Sequence, residues 1–132
     1  MKSFSLKTTL KTIFLSGCVL LLATAGSFAA DANGIPIAPV PGKVTMVDLG
    51  ANKCIPCKMM APIMEELEKE YKGKAAIVFI DVWENPGAGD KYDIKLIPTQ
   101  IFYDAKGKEM SRHEGFYEKA AIVAELTKLG VK

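Results

Sequence analysis

Two cysteines separated by two residues, Cys54 and Cys57, stand between an apolar run and an amphipathic helical pattern. Residues 43–49 form the apolar run, which predicts a short buried strand, and residues 50–53 predict a turn. Apolar residues then recur at helical spacing at Met60, Ile63, Met64, Leu67 and Tyr71. The first turn of a helix stabilises a thiolate through its free N–H groups and its dipole. The pattern therefore predicts a reactive dithiol in which Cys54 attacks and Cys57, one turn further in, resolves the mixed disulfide.

Beyond this helix the pattern alternates between strands and helices. Gly73 ends the helix, and residues 75–82 are a continuous apolar run that predicts a strand covered on both faces. The remaining predicted elements are a loop at 84–90 with one helical turn through Tyr92, a hairpin of strands at 99–103 and 108–114, and a last helix at 117–129. This order predicts the α/β class, with a central mixed β-sheet flanked by helices.

Length and composition exclude several classes of protein. The chain has 132 residues, of which 49% are hydrophobic and 24% charged, so it suits one globular domain rather than a disordered, collagen-like or coiled-coil chain. The net charge of +2 is too small to indicate a nucleic-acid surface, and we expect no nucleic-acid partner.

The first 29 residues have the features of a secretory signal peptide. Residues 1–12 carry three lysines and no acid, and residues 13–25 are almost wholly apolar. Ser27 and Ala29 are small residues at the −3 and −1 positions of a cleavage site after Ala29. We therefore expect an exported, periplasmic protein.

Cleavage after Ala29 would leave about 103 residues with a net charge of −1 and a single cysteine pair. Residues 30–42, rich in proline and glycine, predict an extended lead-in to a domain at 43–132. Two alternatives stay open: the segment remains as an uncleaved anchor, or Cys18 of the Leu-Ser-Gly-Cys sequence is lipidated.

Rival uses of the cysteine pair fit the sequence less well. A zinc site needs four ligands, and outside the pair the mature chain offers only His113. Haem attachment needs a histidine after the second cysteine, where Lys58 stands. A purely structural disulfide stays open, although so short a loop restrains the unfolded chain little. No metal site is predicted.

From residue 43 to residue 129 the sequence resembles the thioredoxin family. The matching features are Asp48 six residues before Cys54, Pro56 before the second cysteine, the Lys-Met-Met-Ala-Pro segment at 58–62, Asn85-Pro86, and Ile97-Pro98-Thr99. The resemblance implies a thioredoxin-like fold whose redox-active disulfide is Cys54–Cys57, with no other cofactor. The family's leading strand and helix are reduced or missing, since about a dozen residues precede residue 43 in the mature chain.

The resemblance also implies roles for residues around the pair. Asp48 would be a buried acid with a raised pKa that relays a proton to or from Cys57. Pro98 would be cis and face the cysteines, so that the backbone of Ile97 binds an extended substrate segment, flanked by Ile55 and Pro56. The alternatives are an acid that reaches solvent and an ordinary trans proline.

Several positions depart from the family pattern. Lys53 replaces the tryptophan before the first cysteine, and Phe79 replaces the buried lysine that accompanies the acid. Other candidates are given structural roles: packing near the site for Trp83, exposure on the edge strand for His113, and core packing for Met59, Met60 and Met64.

These features predict a monomeric, exported thiol–disulfide oxidoreductase that reduces disulfides in client proteins. The pair lacks the histidine of strongly oxidising relatives, and Ile97 before Pro98 resembles the reducing ones. Electrons would come from a membrane thiol transporter, and apocytochrome c would be a client in cytochrome c maturation. The alternatives are an oxidase or isomerase, and a Cu(I) carrier that uses both thiolates and a nearby methionine.

Overall fold

The computed structural model describes residues 30–32 and 34–132. The predicted signal peptide and Cys18 lie outside these residues. The elements are β1 (Thr45–Gly50), α1 (Ile55–Glu70), β2 (Ala76–Asp81), α2 (Ala88–Lys91), β3 (Thr99–Tyr103), β4 (Glu109–Glu114) and α3 (Lys119–Lys128). Within the described part of the chain, no helix is both long and apolar enough to span a bilayer.

The four strands form one mixed sheet in the order β2-β1-β3-β4. β1 runs parallel to β2 and antiparallel to β3, and β3 pairs antiparallel with β4. β1 and β3 are buried along their whole length, as their central position requires. The predicted class and the predicted element order are confirmed.

Alternation along the strands divides the core into two layers. Met46 of β1 and Phe102 of β3 face α1 and α3, where they pack with Leu67 and Ile122. Val47 and Leu49 face the opposite side. The helical stripe predicted for α1 is therefore the surface that covers one face of the sheet.

The residues before β1 cover part of the other face. Ile35 and Ala38 are buried there against strand residues, and the Tyr92 hydroxyl donates a 3.0 Å hydrogen bond to the Ala38 carbonyl. Lys91 forms a 2.9 Å ion pair with Asp31. The described part of residues 30–44 contains one isolated bridge, between Ala30 and Pro36, and no helix. We call the described part of residues 30–42 the strap, because it contacts both α2 and the sheet.

Four sequence predictions of side-chain environment are wrong. Trp83 is 59% exposed, because its loop is held through backbone N–H groups rather than through its ring. Phe79 lies on an outer strand and is 39% exposed, so β2 is not covered along its whole length. Met59 lies on the outer face of α1. His113 is half-buried, with its ring stacked on Tyr117 at 3.9 Å between centroids.

Candidate active site

The cysteine pair lies where β1 has ended and α1 begins. Cys54 is the N-cap residue, with extended backbone angles (φ −83°, ψ 128°), and Ile55 and Pro56 open the helix. Proline fits the first helical turn because its missing N–H would have no partner there. Cys54 and Cys57 form a disulfide, with 5.2 Å between their Cα atoms. Cys54 is partly exposed and Cys57 is buried, so the outer sulfur is the accessible one.

The turn before the pair is tied to the end of β2 by Asp81. Its carboxylate accepts hydrogen bonds from the backbone N–H groups of Asn52 (2.8 Å), Trp83 (2.9 Å) and Glu84 (3.1 Å). Burial alone raises the pKa of Asp81, but these donors and nearby Lys53 outweigh it, and the pKa lies below its usual value. Asp81 therefore fixes the turn that leads into Cys54.

Gly50 lets the chain approach Cys57 closely. A Cβ atom at this position would lie 3.2 Å from Cε2 of Phe79 and 3.3 Å from both Cβ and Sγ of Cys57. The Phe79 ring thus packs beside the inner cysteine, at the position where the family resemblance implies a lysine. No side chain larger than hydrogen fits between them without movement.

Asp48 is buried in the centre of β1. Burial raises the pKa of its carboxyl to about 6, and a hydrogen bond from Gln100 partly offsets this rise. Nε2 of Gln100 donates to Oδ1 of Asp48 at 2.8 Å. The alternative of an acid reaching solvent is wrong, because Asp48 is only 1% exposed.

A cavity of about 240 Å³ joins the acid to the inner cysteine. Asp48, Cys57 and Phe79 line it from the inside, and Lys58, Glu65 and Glu68 of α1 line it as well. Neither the second carboxylate oxygen of Asp48 nor Oε1 of Gln100 has a hydrogen-bond partner within the described residues. The carboxyl and the inner sulfur therefore share one partly polar space.

The Ile97–Pro98 peptide bond is cis, as the resemblance implies. Leu49 of β1 pairs with Thr99 of β3, so Pro98 lies across from the end of β1 that leads to the cysteines. Pro98 is buried and Ile97 is half-buried. The Pro98 carbonyl accepts a 2.7 Å hydrogen bond from the backbone N–H of Gly115.

Exposed apolar side chains belong to the segments around the pair. Ile55, between the cysteines, is 77% exposed, and Met59 and Leu96 are also exposed. Pro56 is exposed beside Ile55. Such a concentration of apolar surface is typical of a site that binds another chain.

Sequence reasoning missed Gln100, Asp81 and Gly50. Gln100 is polar in the middle of an apolar strand, and that mismatch is a usable signal. Its partner Asp48 lies 52 positions away, however, and only the strand register brings the two together. Lys53 is exposed beside Cys54, as its position before the helix suggests.

An accessible sulfur bonded to a buried one, at a helix N-terminus, is the arrangement that thiol–disulfide exchange requires. The chain is thus a disulfide oxidoreductase in class. Its sequence is matched by the family model for thioredoxin over residues 37–128, and the chain belongs to the thioredoxin family.

Individual relatives agree with this assignment. The thioredoxins of Staphylococcus aureus strains Mu50 and MW2 are each 42% identical over 89 residues, which cover 67% of this chain and 85% of theirs. The crystal structure of chloroplastic thioredoxin z is similar with a TM-score of 0.60 and 31% identity, over 67% of this chain and 80% of that one.

Proposed function

We propose that this protein is an exported, periplasmic protein-disulfide reductase that works through Cys54 and Cys57. The observation that carries the proposal is the difference between the two sulfurs: Cys54 is partly exposed at the helix N-terminus, and Cys57 is buried beside Asp48. An accessible thiolate can attack a client, whereas a buried thiol can be reserved for the second step.

The reaction proceeds through two exchanges. The Cys54 thiolate attacks a client disulfide, forming a mixed disulfide and releasing one client thiolate, which takes up a proton. Cys57 then loses its proton and attacks the Cys54 sulfur, and the second client thiolate leaves. The client gains two electrons, the Cys54–Cys57 disulfide forms, and an external dithiol must reduce it again.

Asp48 is proposed as the base for the second exchange. With its pKa raised to about 6, the carboxyl is mostly ionised at neutral pH and still basic enough to accept the Cys57 proton. The shared cavity supplies space for a bridging water between the carboxyl and the sulfur.

Client binding is proposed at the surface around the disulfide. An extended client segment would form backbone hydrogen bonds with Ile97 beside Pro98, and its side chains would contact Ile55 and Pro56. Recognition through backbone groups and an apolar surface suits an enzyme that accepts many clients.

A reductive direction is proposed because Ile55 and Pro56 supply no charge between the cysteines that would stabilise the reduced pair strongly. The reduction potential of the mature domain tests this directly. A value near about −270 mV supports a reductase, and one near about −120 mV contradicts it in favour of an oxidase.

Activity is tested by reduction of insulin with dithiothreitol as the electron source. Cys54→Ala is expected to abolish turnover, and Cys57→Ala to leave the client trapped on Cys54 as a mixed disulfide. Undiminished turnover in Cys54→Ala contradicts the assignment of the nucleophile.

The proposed location and partners rest on the sequence of residues 1–29. We propose a monomer that draws electrons from a membrane thiol transporter and serves clients such as apocytochrome c. Fractionation followed by N-terminal sequencing tests export, with a mature chain that begins at Ala30 as the expected result. Fatty-acid labelling that is lost in Cys18→Ser would show a lipoprotein instead.

A further inference from the structure

Asp48 and Gln100 form a buried pair of polar side chains in the sheet. They lie directly opposite each other on β1 and β3, and both side chains are fully buried. The strand neighbour of Asp48 on β2 is Phe79, which offers no polar group. Among the described residues, Gln100 is therefore the hydrogen-bond partner on which the carboxyl depends.

A carboxyl that relays a proton passes through two protonation states with opposite hydrogen-bonding requirements. Ionised, it accepts hydrogen bonds only; protonated, it must donate one from its O–H group. A buried donor or acceptor left without a partner is costly, so a partner that serves one state alone resists the proton transfer. A lysine, for example, can only donate.

The side-chain amide of glutamine is able to serve both states. Its Nε2 donates to the ionised carboxyl, in the arrangement present here at 2.8 Å. After half a turn of the amide, Oε1 would accept the O–H of the protonated carboxyl. Oε1 has no hydrogen-bond partner in the described part of the chain, so rotating the amide breaks no existing hydrogen bond of Oε1.

We propose that Gln100 is a positioning residue of the proton relay, which exchanges its donor for its acceptor as Asp48 gains or loses a proton. The proposal rests on the proposed role of Asp48. It gives this chain a neutral means of holding the acid, where the family resemblance implies a lysine at the position of Phe79.

Other charged or titratable groups line the same cavity as Asp48 or lie near Gln100, and the test must separate their effects. They are Cys57, Lys58, Glu65 and Glu68 along α1, His113 opposite Gln100 on β4, and Tyr117, which stacks on His113. Each of these remains unchanged when Gln100 alone is replaced.

The first experiment follows both side chains by NMR in the reduced protein. The ¹³C resonance of the Asp48 carboxyl and the ¹⁵N resonance of the Gln100 side-chain amide are expected to titrate with one shared midpoint. A Gln100 amide that keeps the same donated hydrogen bond through the whole titration of Asp48 overturns the proposal.

The second experiment measures the rate at which Cys57 resolves a preformed mixed disulfide, as a function of pH. Gln100→Met keeps the length of the side chain but removes both hydrogen-bonding groups. We expect it to slow resolution about tenfold at pH 7 and to move the pH midpoint upward. Gln100→Lys, which only donates, is expected to move the midpoint downward and to be slow as well.

Combining Gln100→Met with Asp48→Asn distinguishes a role of Gln100 in the proton relay from a merely structural role. If the relay is real, Gln100→Met has little further effect on the rate in the Asp48→Asn background. An equal loss in both backgrounds shows a merely structural role for Gln100. If Asp48→Asn alone leaves the rate unchanged, the proposed function of Asp48 fails, and the NMR titration still decides the amide exchange separately.

Discussion

At the scale of single residues, Asp48 carries a charge that the fold opposes. The pKa of its carboxyl is raised from 3.8 to about 6 by burial, so the folded protein binds this proton more tightly than the unfolded chain does. This tighter proton binding adds to the free energy of unfolding. The added free energy is fully present below about pH 4 and is lost as the pH rises through about 6. At neutral pH the buried carboxylate therefore lowers the free energy of unfolding.

Asp48→Asn should therefore stabilise the oxidised protein at pH 8. The shift in pKa corresponds to about 3 kcal/mol, and this difference should nearly vanish at about pH 3, where the carboxyl is mostly protonated in both the folded and the unfolded protein. Urea unfolding at the two pH values measures it. The exposed Asp90→Asn serves as the control, for which we expect a change within about 0.5 kcal/mol at both pH values.

Gly50→Ala should destabilise the protein by about 1–3 kcal/mol, because the new methyl group meets Phe79 at 3.2 Å and Cys57 at 3.3 Å. Phe79 lies on the outer strand β2 and is partly exposed. The smaller side chain in Phe79→Leu should therefore relieve the contact and restore part of the lost stability. Gly89→Ala is the matched control: its nearest neighbour, Cγ1 of Ile94, would lie at an ordinary 3.8 Å. Equal losses from the two glycine substitutions would contradict the close approach.

The spacing of Cys54 and Cys57 predicted a reactive pair, and the family resemblance added Asp48 and Pro98 as candidates. The structure buries Asp48 and gives the Ile97–Pro98 bond as cis. Gln100 and Asp81 could not be found in the same way. Their partners lie 52 and 29 positions away, and the contacts exist only once strand register and the ends of β1 and β2 are set. Residues that act through a distant partner leave little trace in local spacing.

At the scale of elements, the strap differs most from what its composition suggests. Prolines and glycines in residues 30–42 predict an extended lead-in, whereas the described part of this segment turns back, with Ala30 and Pro36 paired in an isolated antiparallel bridge. Its packing could not be predicted, because so short an apolar pattern does not indicate which face of the sheet it covers. The strands and helices were predictable since each has its own apolar period.

Two isoleucines of the strap provide a direct test of its packing. Ile35 is 4% exposed, whereas Ile37 is 37% exposed. Ile35→Ala should lower the free energy of unfolding by about 2–4 kcal/mol, and Ile37→Ala by less than about 1 kcal/mol. Chemical denaturation of both variants measures the difference. Similar losses would show that the strap does not discriminate between its two sides.

At the scale of the whole molecule, apolar surface is gathered at the end that carries the disulfide. Ile55 interrupts the cysteine pair, and Leu96 precedes the Ile97–Pro98 bond. Exposed Met110 lies instead on β4, at an edge of the sheet. A protein client would cover the first surface, while a small disulfide would touch little beyond the sulfur.

Ile55→Ser should accordingly lower kcat/KM for insulin about fivefold, a loss of about 1 kcal/mol of apolar contact in the transition state. Reduction of a small aromatic disulfide should change less than twofold. Met110→Ser provides the control and should alter neither rate. A parallel loss with both substrates would mean that Ile55 acts on the sulfur chemistry rather than on client binding.

The strap has a practical consequence for anyone who prepares this domain. A recombinant version that starts at Ala30 retains the Asp31–Lys91 ion pair and the cover over the sheet. One trimmed to residue 43, where the recognisable strand pattern starts, would lose Ile35 and Ala38 from the apolar cluster that contains Val47, Leu49 and Ile80. Such a trimmed preparation should be prone to aggregation. The first dozen residues after the predicted cleavage point therefore determine whether the domain stays in solution.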